Sequence, residues 1–199
     1  MAKTVTAAEM KERERAANEA GLLYIQMMEN AGRAAWKELK ARVPALRRLL
    51  IVAGKGNNGG DGFVMARVAA KEGVQVRVLL AETAAEIVRD TEQAAFGADA
   101  VVDALYGTGF HGELRPDGAA ACALMGRERE RGAFVLALDL PSGVSADSGE
   151  VAEGAVQADA TVTFDCTKPL HFAKASKPLC GALVCADIGI GKALGERET

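Results

Sequence analysis

The sequence has few of the residues that build metal sites, disulfide frameworks or membrane spans. It contains four cysteines, none in Cys-x-x-Cys spacing, and only two histidines. A zinc site is therefore poorly supported, and scattered cysteines are typical of buried thiols in a reducing compartment. No apolar run approaches the length of a membrane span, and the first residues lack the apolar core of a secretory signal. We expect no membrane partner and a cytoplasmic location.

The chain also lacks a large excess of charge of either sign. Its 27 acidic side chains nearly balance 24 basic ones, which gives a formal net charge of -3. This balance gives no support for binding to nucleic acid or to a membrane surface. A chain of 199 residues, 49% hydrophobic and 26% charged, is large enough for a sizeable core. We therefore expect one globular domain over residues 1–199.

Glycine is abundant, and it is concentrated after one apolar segment. Residues 49–53 are rich in branched side chains and predict a buried strand. Five glycines fall within the predicted loop at 54–62, and apolar residues at helical spacing follow from Phe63. A strand, a glycine loop and a helix form the geometry of a nucleotide- or phosphate-binding turn. Glycine lets the backbone approach a ligand, and a helix start presents free N–H groups.

The polar residues of this loop distinguish it from standard phosphate motifs. A Walker loop ends in Gly-Lys-Ser/Thr, whereas this loop ends in Gly60-Asp61-Gly62. A formal match to the dinucleotide fingerprint is weak evidence. The amides of Asn57 and Asn58 and the carboxylate of Asp61 suit a cation or a sugar hydroxyl. A tight turn whose Asn and Asp residues only cap a helix is the open alternative.

The rest of the chain alternates predicted strands and helices. Strands are predicted at 74–80, 98–105, 133–138, 158–164 and 183–187, and helices at 6–18, 22–43, 83–96, 116–131 and from the glycine loop to about 72. This order predicts an α/β fold, a Rossmann-like doubly wound and mainly parallel sheet with helices on both faces. We interpret the charged run 11–15 as a solvated helix face and the tail from Lys192 as frayed.

Four of the predicted strands end in breaks that carry polar residues. In an open α/β sheet, ligands bind outside the carboxyl ends of the strands. Four breaks that converge on one edge make a site more probable than any single break does. The breaks lie at 56–61, 103–113, 139–143 and 165–169.

Two of these breaks offer an acid and a base. Asp139 directly follows the predicted buried strand, where partial desolvation could poise its pKa for proton transfer. The alternative is that Asp139 caps the turn at 141–143. Lys168 follows the next predicted strand and could act as an acid or bind a phosphate. The alternative for Lys168, a solvated loop lysine, is the commoner case.

Other polar residues in the breaks suit a monovalent cation. Asp103, Ser142 and the side chain of Asn58 supply hard oxygen ligands without a cluster of carboxylates. That composition argues against a tightly held divalent metal. His111 is an acid–base candidate, although a loop histidine at a ligand rim is more often a contact or a bystander.

As a whole, the motifs resemble those of the NAD(P)H-hydrate epimerase family, the YjeF N-terminal domain. The resemblance extends from Met28 to Ile190, and order, spacing and identity all agree. It rests on Met28-Glu-Asn-Ala-Gly32, Gly54-Lys-Gly-Asn-Asn-Gly-Gly-Asp-Gly62, Asp103-Ala-Leu-Tyr-Gly-Thr-Gly109, Asp139-Leu-Pro-Ser-Gly143, Ala155 to Phe164 and Thr167-Lys-Pro169. The loop at 110–116 is longer than the common form in shorter bacterial members.

The resemblance implies an isomerase that interconverts the two C6 epimers of hydrated NADH or NADPH, a damaged cofactor, for repair by a separate dehydratase. It implies a potassium ion held by Asn58, Asp103 and Ser142, and catalysis shared by Asp139 and Lys168. We also expect a homodimer. The implied substrate contacts are Asn57, Asn58, Gly59, Gly60, Asp61, Gly107, Thr108, Gly109, Phe110, His111, Gly112, Glu113 and Asp139.

Two other functional classes are alternatives. Related domains serve as non-catalytic scaffolds that bind ligands or proteins. A scaffold would not need the acidic and basic groups of the motifs, which are all present and favour an enzyme: Asp61, Asp103, Asp139 and Lys168. An NAD-dependent dehydrogenase would need an acidic residue after the second strand to hold the ribose, and Glu82 is the only candidate.

Overall fold

A computed structural model of the chain describes residues 3–81 and 97–196. The described helices are α1 (Ala7–Glu19), α2 (Tyr24–Arg42), α3 (Asn57–Lys71), α4 (Pro116–Glu130) and α5 (Ile190–Ala193). The strands are β1 (Arg48–Ala53), β2 (Gln75–Leu80), β3 (Ala100–Ala104), β4 (Phe134–Leu138), β5 (Ala160–Phe164) and β6 (Ala182–Ala186). The predicted helix at 83–96 and the candidate Glu82 lie outside the described residues.

The six strands form one sheet in the order β2-β1-β3-β4-β5-β6, and every neighbouring pair is parallel. The predicted fold class is therefore confirmed. β1 lies between β2 and β3, so the order of the strands in the sheet reverses direction at β1. The crevice between β1 and β3 is the switch point at which such sheets bind ligands.

Alternate residues of β1 enter two separate cores, as the two-residue repeat of a strand requires. Leu49 and Ile51 pack with α1, α2, α3 and α5 on one face. Leu50 and Val52 pack with α4 on the other. Burial on both faces explains why the strand appears in the sequence as an unbroken apolar run. Within the described ranges, no helix combines the length and apolar composition needed to cross a membrane.

Most of the glycine motif is helical. α3 begins at Asn57 with Gly56 as its N-cap, so the predicted loop is wrong from Asn57 onward. Several motif glycines serve close packing. A Cβ on Gly59 would lie 2.0 Å from the carbonyl oxygen of Gly54, which is backbone and cannot move aside easily. The absence of a side chain lets α3 start directly against the end of β1.

The N-terminal segment is fastened to the end of β5. Residues 3–5 pair with Thr167 through two backbone hydrogen bonds of 2.9 Å each. Arg13 of α1 donates to Asp165 at 3.0 Å and to Glu196 at 2.7 Å. These contacts hold α1 across the carboxyl edge of the sheet, beside the breaks that follow β4 and β5.

Two interpretations from the sequence are corrected by these contacts. The charged run 11–15 is not a uniformly solvated face, because Arg13 pairs inward and Glu14 lines a cavity. The tail is not frayed from Lys192 onward, because α5 includes that residue and Glu196 pairs with Arg13. The residues that pair with Arg13 lie more than 150 residues away in the sequence.

Candidate functional site

A cavity of about 760 Å³ opens at the carboxyl ends of β1, β3, β4 and β5. All four predicted breaks contribute to it. The predicted site residues that line it are Asn57, Asn58, Asp61, Gly107, Thr108, Gly109, Phe110, His111, Glu113, Asp139 and Lys168. The rings of Tyr106 and Phe110 stack on one wall with their centroids 5.1 Å apart. Breaks that are more than 100 residues apart therefore meet in one concave site.

Five predicted site residues lie outside this lining. Gly59 and Gly60 belong to the packed first turns of α3, where Gly60 lies against the side chain of Met28. Gly112 lines a neighbouring shallow groove. Asp103 and Ser142 are fully buried and lie behind the cavity wall. The structure thus separates residues that a ligand can touch from residues that shape the wall.

The backbone at Asp139 adopts an uncommon conformation. Its φ is 65°, and the N–H of Leu140 donates to the carbonyl of Leu138 at 2.8 Å. This is a γ-turn with positive φ, which is rare and strained for a residue with a side chain. Asp165 has a φ of 58° and lies in the same kind of turn after the neighbouring strand. Strain of this kind concentrates at functional sites because the surrounding structure must hold it.

Asp139 and Lys168 form a direct ion pair. Lys168, only 1% exposed, donates to Asp139 Oδ1 at 2.5 Å and to Thr163 Oγ1 at 2.8 Å. The hydroxyl of Thr163 in turn donates to Asp139 Oδ1 at 2.9 Å. Both contacts use the same carboxylate oxygen. Within the described part of the chain, Asp139 Oδ2 has no hydrogen-bond partner and is available to a ligand.

His171 connects the backbones of these two residues. Its Nδ1 accepts from the N–H of Lys168 at 2.9 Å, so the proton lies on Nε2, which donates to the carbonyl of Asp139 at 3.0 Å. Burial lowers the pKa of His171 to about 4, and the ring is therefore neutral at physiological pH. The sequence analysis did not identify His171. Its only local sign is its position three residues after Lys168.

Two further carboxyl groups face the same part of the cavity. Burial, together with the nearby charges of Asp139 and Glu14, raises the pKa of Asp61 to about 8. Burial and the charge of Asp139 also raise the pKa of Glu14. Glu14 was not predicted as a site residue. It lies between the buried Met10 and Ala17 at helical spacing, so its presence on the inward stripe of α1 was a detectable signal.

The cation-site candidates are connected through the backbone of Tyr106, with Asn58 in the cavity lining and Asp103 and Ser142 buried behind it. Ser142 donates to Asp103 from Oγ at 2.6 Å and from its backbone N–H at 2.7 Å. The amide nitrogen of Asn58 donates to the carbonyls of Tyr106 and Leu138 at 2.7 and 3.1 Å. The oxygen of that amide is buried without a hydrogen-bond partner.

Asp103 is the buried charge of this cluster. Burial raises its pKa to about 6, so it is mostly ionised at neutral pH. It forms no ion pair with any residue of 3–81 or 97–196. An amide oxygen without a hydrogen-bond partner and a buried carboxylate without an ion-pair partner are ligand types that fit a monovalent cation. No cluster of three His, Cys, Asp or Glu residues suited to a metal occurs among the described residues.

Comparisons with known proteins place the chain among related sequences. The family model described as "YjeF-related protein N-terminus" matches residues 24–96 and 83–170. A protein of Pirellula staleyi named NAD(P)H-hydrate epimerase is 39% identical, over 88% of this chain and 87% of that protein. A protein of Coxiella burnetii named bifunctional NAD(P)H-hydrate repair enzyme Nnr is 37% identical over 92% of this chain. The chain spans only 41% of that bifunctional relative.

A solved structure has the same fold. The crystal structure of the yeast protein ynu0 superposes with a TM-score of 0.73, covering 93% of this chain and 88% of the yeast chain. The two sequences are 19% identical over the match. At 19% sequence identity, the comparison establishes that the two proteins share a fold.

Proposed function

Because the chain belongs to the family of YjeF-related protein N-termini, we propose that it is an NAD(P)H-hydrate epimerase, which interconverts the two C6 epimers of hydrated NADH and NADPH. The relative of similar length carries that name. We further propose that a separate dehydratase completes the repair, as the sequence resemblance implies, and that the protein is a cytoplasmic homodimer.

The observation that carries the proposal is the buried pair of Asp139 and Lys168 on the wall of the cavity. The pair places a carboxylate that can act as a base on the cavity wall, held by a buried ammonium group that is shielded from bulk water. C6 of the hydrated ring is bonded to a hydroxyl oxygen and to the ring nitrogen. To invert this carbon, one of those bonds must break and form again on the opposite face, and each event needs a proton transfer. General acid–base groups at this position typically contribute about 10²–10⁴ in rate.

The remaining lining supports a nucleotide. The start of α3 at Asn57 has no side-chain cap from Gly56, and the first backbone N–H groups of a helix suit a phosphate. The glycines at 107 and 109 let the opposite segment approach a ligand closely. The stacked rings of Tyr106 and Phe110 add a flat apolar surface. Arg115 and Lys55, the latter not predicted from the sequence, add positive charge to the lining.

Potassium is proposed as the resident ion, with Asn58, Asp103 and Ser142 as its ligands. Bound there, the ion would neutralise Asp103 and stiffen the wall that carries the substrate loops. We expect higher thermal stability in potassium chloride than in choline chloride at equal ionic strength. When potassium is present at ten times its dissociation constant, its binding stabilises the folded protein by about 1.4 kcal/mol. Equal melting temperatures and equal substrate affinities in the two salts would exclude the ion.

Replacement of His171 tests how the Asp139–Lys168 pair is positioned. In His171→Asn the amide occupies the place of Nδ1 and keeps the bond to Lys168, whereas in His171→Gln it occupies the place of Nε2 and keeps the bond to Asp139. We expect His171→Ala to lower kcat at least about tenfold with little change in KM, because the backbone at Asp139 and at Lys168 each loses a hydrogen bond that holds it in place. Asn and Gln should each restore part of kcat. Full activity of His171→Ala would show that the imidazole ring only fills space in the fold and does not position the Asp139–Lys168 pair.

The coupled assay tests the proposed function together with its partner. A dehydratase that accepts one epimer is given an equal mixture of both. Without the protein, consumption should slow at half of the substrate, because the other epimer converts only spontaneously. With the protein, we expect rapid and complete consumption. If the protein is a scaffold without catalytic activity, which is the alternative function, consumption should still slow at half of the substrate.

A further inference from the structure

The hydrogen bonds of Lys168 leave it poorly placed to donate a proton to a substrate. Its ammonium group has three N–H bonds, and three protein acceptors surround it: Asp139 Oδ1, Thr163 Oγ1 and the carbonyl of Phe164, the last at 3.4 Å. The side chain is 1% exposed. Donation to a ligand would require Lys168 to give up a buried bond. Lys168 therefore holds Asp139 in place, and the acid must be sought elsewhere in the cavity.

Asp61 is a carboxyl group on the cavity wall that is not committed to a protein partner. It lies in the second turn of α3 and lines the cavity. Its side chain forms no hydrogen bond or ion pair within residues 3–81 and 97–196. The positive end of a helix dipole would favour the ionised form, but that effect fades beyond the first turn. Asp61 thus meets the geometric requirement for a donor that Lys168 does not.

The charges around Asp61 favour its protonated form. Glu14 faces it from α1, Asp139 from the end of β4 and Lys168 from the end of β5. From α2, Met28 lies against Gly60 and Gly32 lies against the backbone of Asp61, and neither residue carries a charge. The three carboxyl groups therefore have one positive charge among them, that of Lys168, and Lys168 already forms an ion pair with Asp139. Buried carboxyl groups in such a cluster cannot all ionise. Burial, together with the charges of Asp139 and Glu14, raises the pKa of Asp61 to about 8.

We propose that Asp61 is a second catalytic residue, the proton donor that works opposite the base Asp139. The proposal rests on the epimerase function. Asp139 Oδ2 removes the proton of the C6 hydroxyl, the electron pair of that O–H bond forms the C6 carbonyl, and the pair of the C6–N1 bond moves to N1. Asp61 gives its proton to N1. The products are an open-chain aldehyde, a protonated Asp139 and an ionised Asp61.

Inversion follows from rotation about the C5–C6 bond. N1 then attacks the other face of the carbonyl and returns its proton to Asp61, while the oxygen takes its proton back from Asp139. All atoms and electrons are recovered, and no oxidant, reductant or water is consumed. Glu14 acts as a positioning residue, because its negative charge favours retention of the proton on Asp61 before the reaction.

The protonation state of Asp61 can be measured on the protein without substrate. Carbon-13 labelling of the aspartate carboxyl groups, with Asp61→Asn to identify the signal, gives its titration curve by NMR. We expect a midpoint near pH 8. A midpoint near 4, the ordinary value for aspartate, would overturn the proposal. This result does not depend on the epimerase assay, so it separates a failure of this inference from a failure of the function.

The pH profile of kcat tests the catalytic role. In the wild type we expect kcat to fall as pH rises through the pKa of Asp61, because the acid is lost. Asp61→Asn should lower kcat at least about 100-fold and abolish this alkaline limb. Glu14→Gln should move the limb to lower pH by about half a unit or more, because one negative charge near Asp61 is removed.

Glu12→Gln provides the matched control for Glu14. Glu12 lies on the same helix but is exposed, and it forms an ion pair with Arg15 on the surface. Its replacement should leave the alkaline limb unchanged. If Asp61 only binds substrate, Asp61→Asn will raise KM and keep both kcat and the limb, which would overturn the proposal. A wild type without any exchange activity would instead refute the function on which the proposal rests.

Discussion

Asp139→Asn is expected to lower the kcat of epimer exchange by at least about 100-fold, which corresponds to about 2.7 kcal/mol of barrier. The amide keeps the shape of the carboxylate and can accept the bonds from Lys168 and Thr163, but it cannot act as a base. Asparagine also tolerates positive φ better than alanine, so the γ-turn survives. The rate is measured by chromatography of the two epimers, with the spontaneous exchange subtracted.

Asp165→Asn is the matched control for this prediction. Asp165 lies in the corresponding γ-turn after β5, with positive φ, but it pairs with Arg13 and does not line the cavity. Its replacement should reduce stability, because Arg13 loses a buried partner, and should leave kcat within about threefold. If both variants lose activity equally, the loss reflects the strained turns. If Asp139→Asn keeps more than about a tenth of the rate, Asp139 is not the base.

Gly59→Ala is expected to destabilise the protein by about 3 kcal/mol or more, although alanine normally favours a helix. The new Cβ would lie 2.0 Å from the carbonyl oxygen of Gly54. Neither partner of this contact is a flexible side chain, so α3 must move away from β1. The free energy of unfolding in urea measures the cost.

Gly56→Ala is the control within the same motif. A Cβ on Gly56 would meet no atom of residues 3–81 or 97–196 within 4 Å, and its φ of -88° suits any residue. We expect a change of less than about 1 kcal/mol. Similar losses for the two variants would show that the glycines are needed for chain flexibility. Loss confined to Gly59→Ala would show that they are needed for close packing.

The sequence predicted the sheet and most of the cavity because both depend on local order. Each buried strand is an apolar run, and each break after a strand is marked by glycine, proline or a polar residue. In a parallel sheet the carboxyl ends share one edge, so residues such as Asp61, Asp139 and Lys168 could be placed together before any coordinates were known.

Tertiary contacts determine the features that the sequence analysis missed. The motif glycines suggested a loop, but packing against β1 makes most of that stretch helical. Glu14 looked solvated because the contacts that turn α1 inward, from Arg13 to Asp165 and Glu196, span more than 150 residues. His171 has no motif of its own. Its role depends on two backbone groups that meet only in the folded chain.

Exchange of a single purified epimer tests the central claim most directly. The protein is mixed with one C6 epimer of hydrated NADH, and the appearance of the other is followed by chromatography beside a sample without protein. We predict that equal amounts of the two epimers are reached far faster with the wild type than spontaneously, and that Asp139→Asn removes most of this acceleration. An identical time course with and without the wild-type protein would contradict the account.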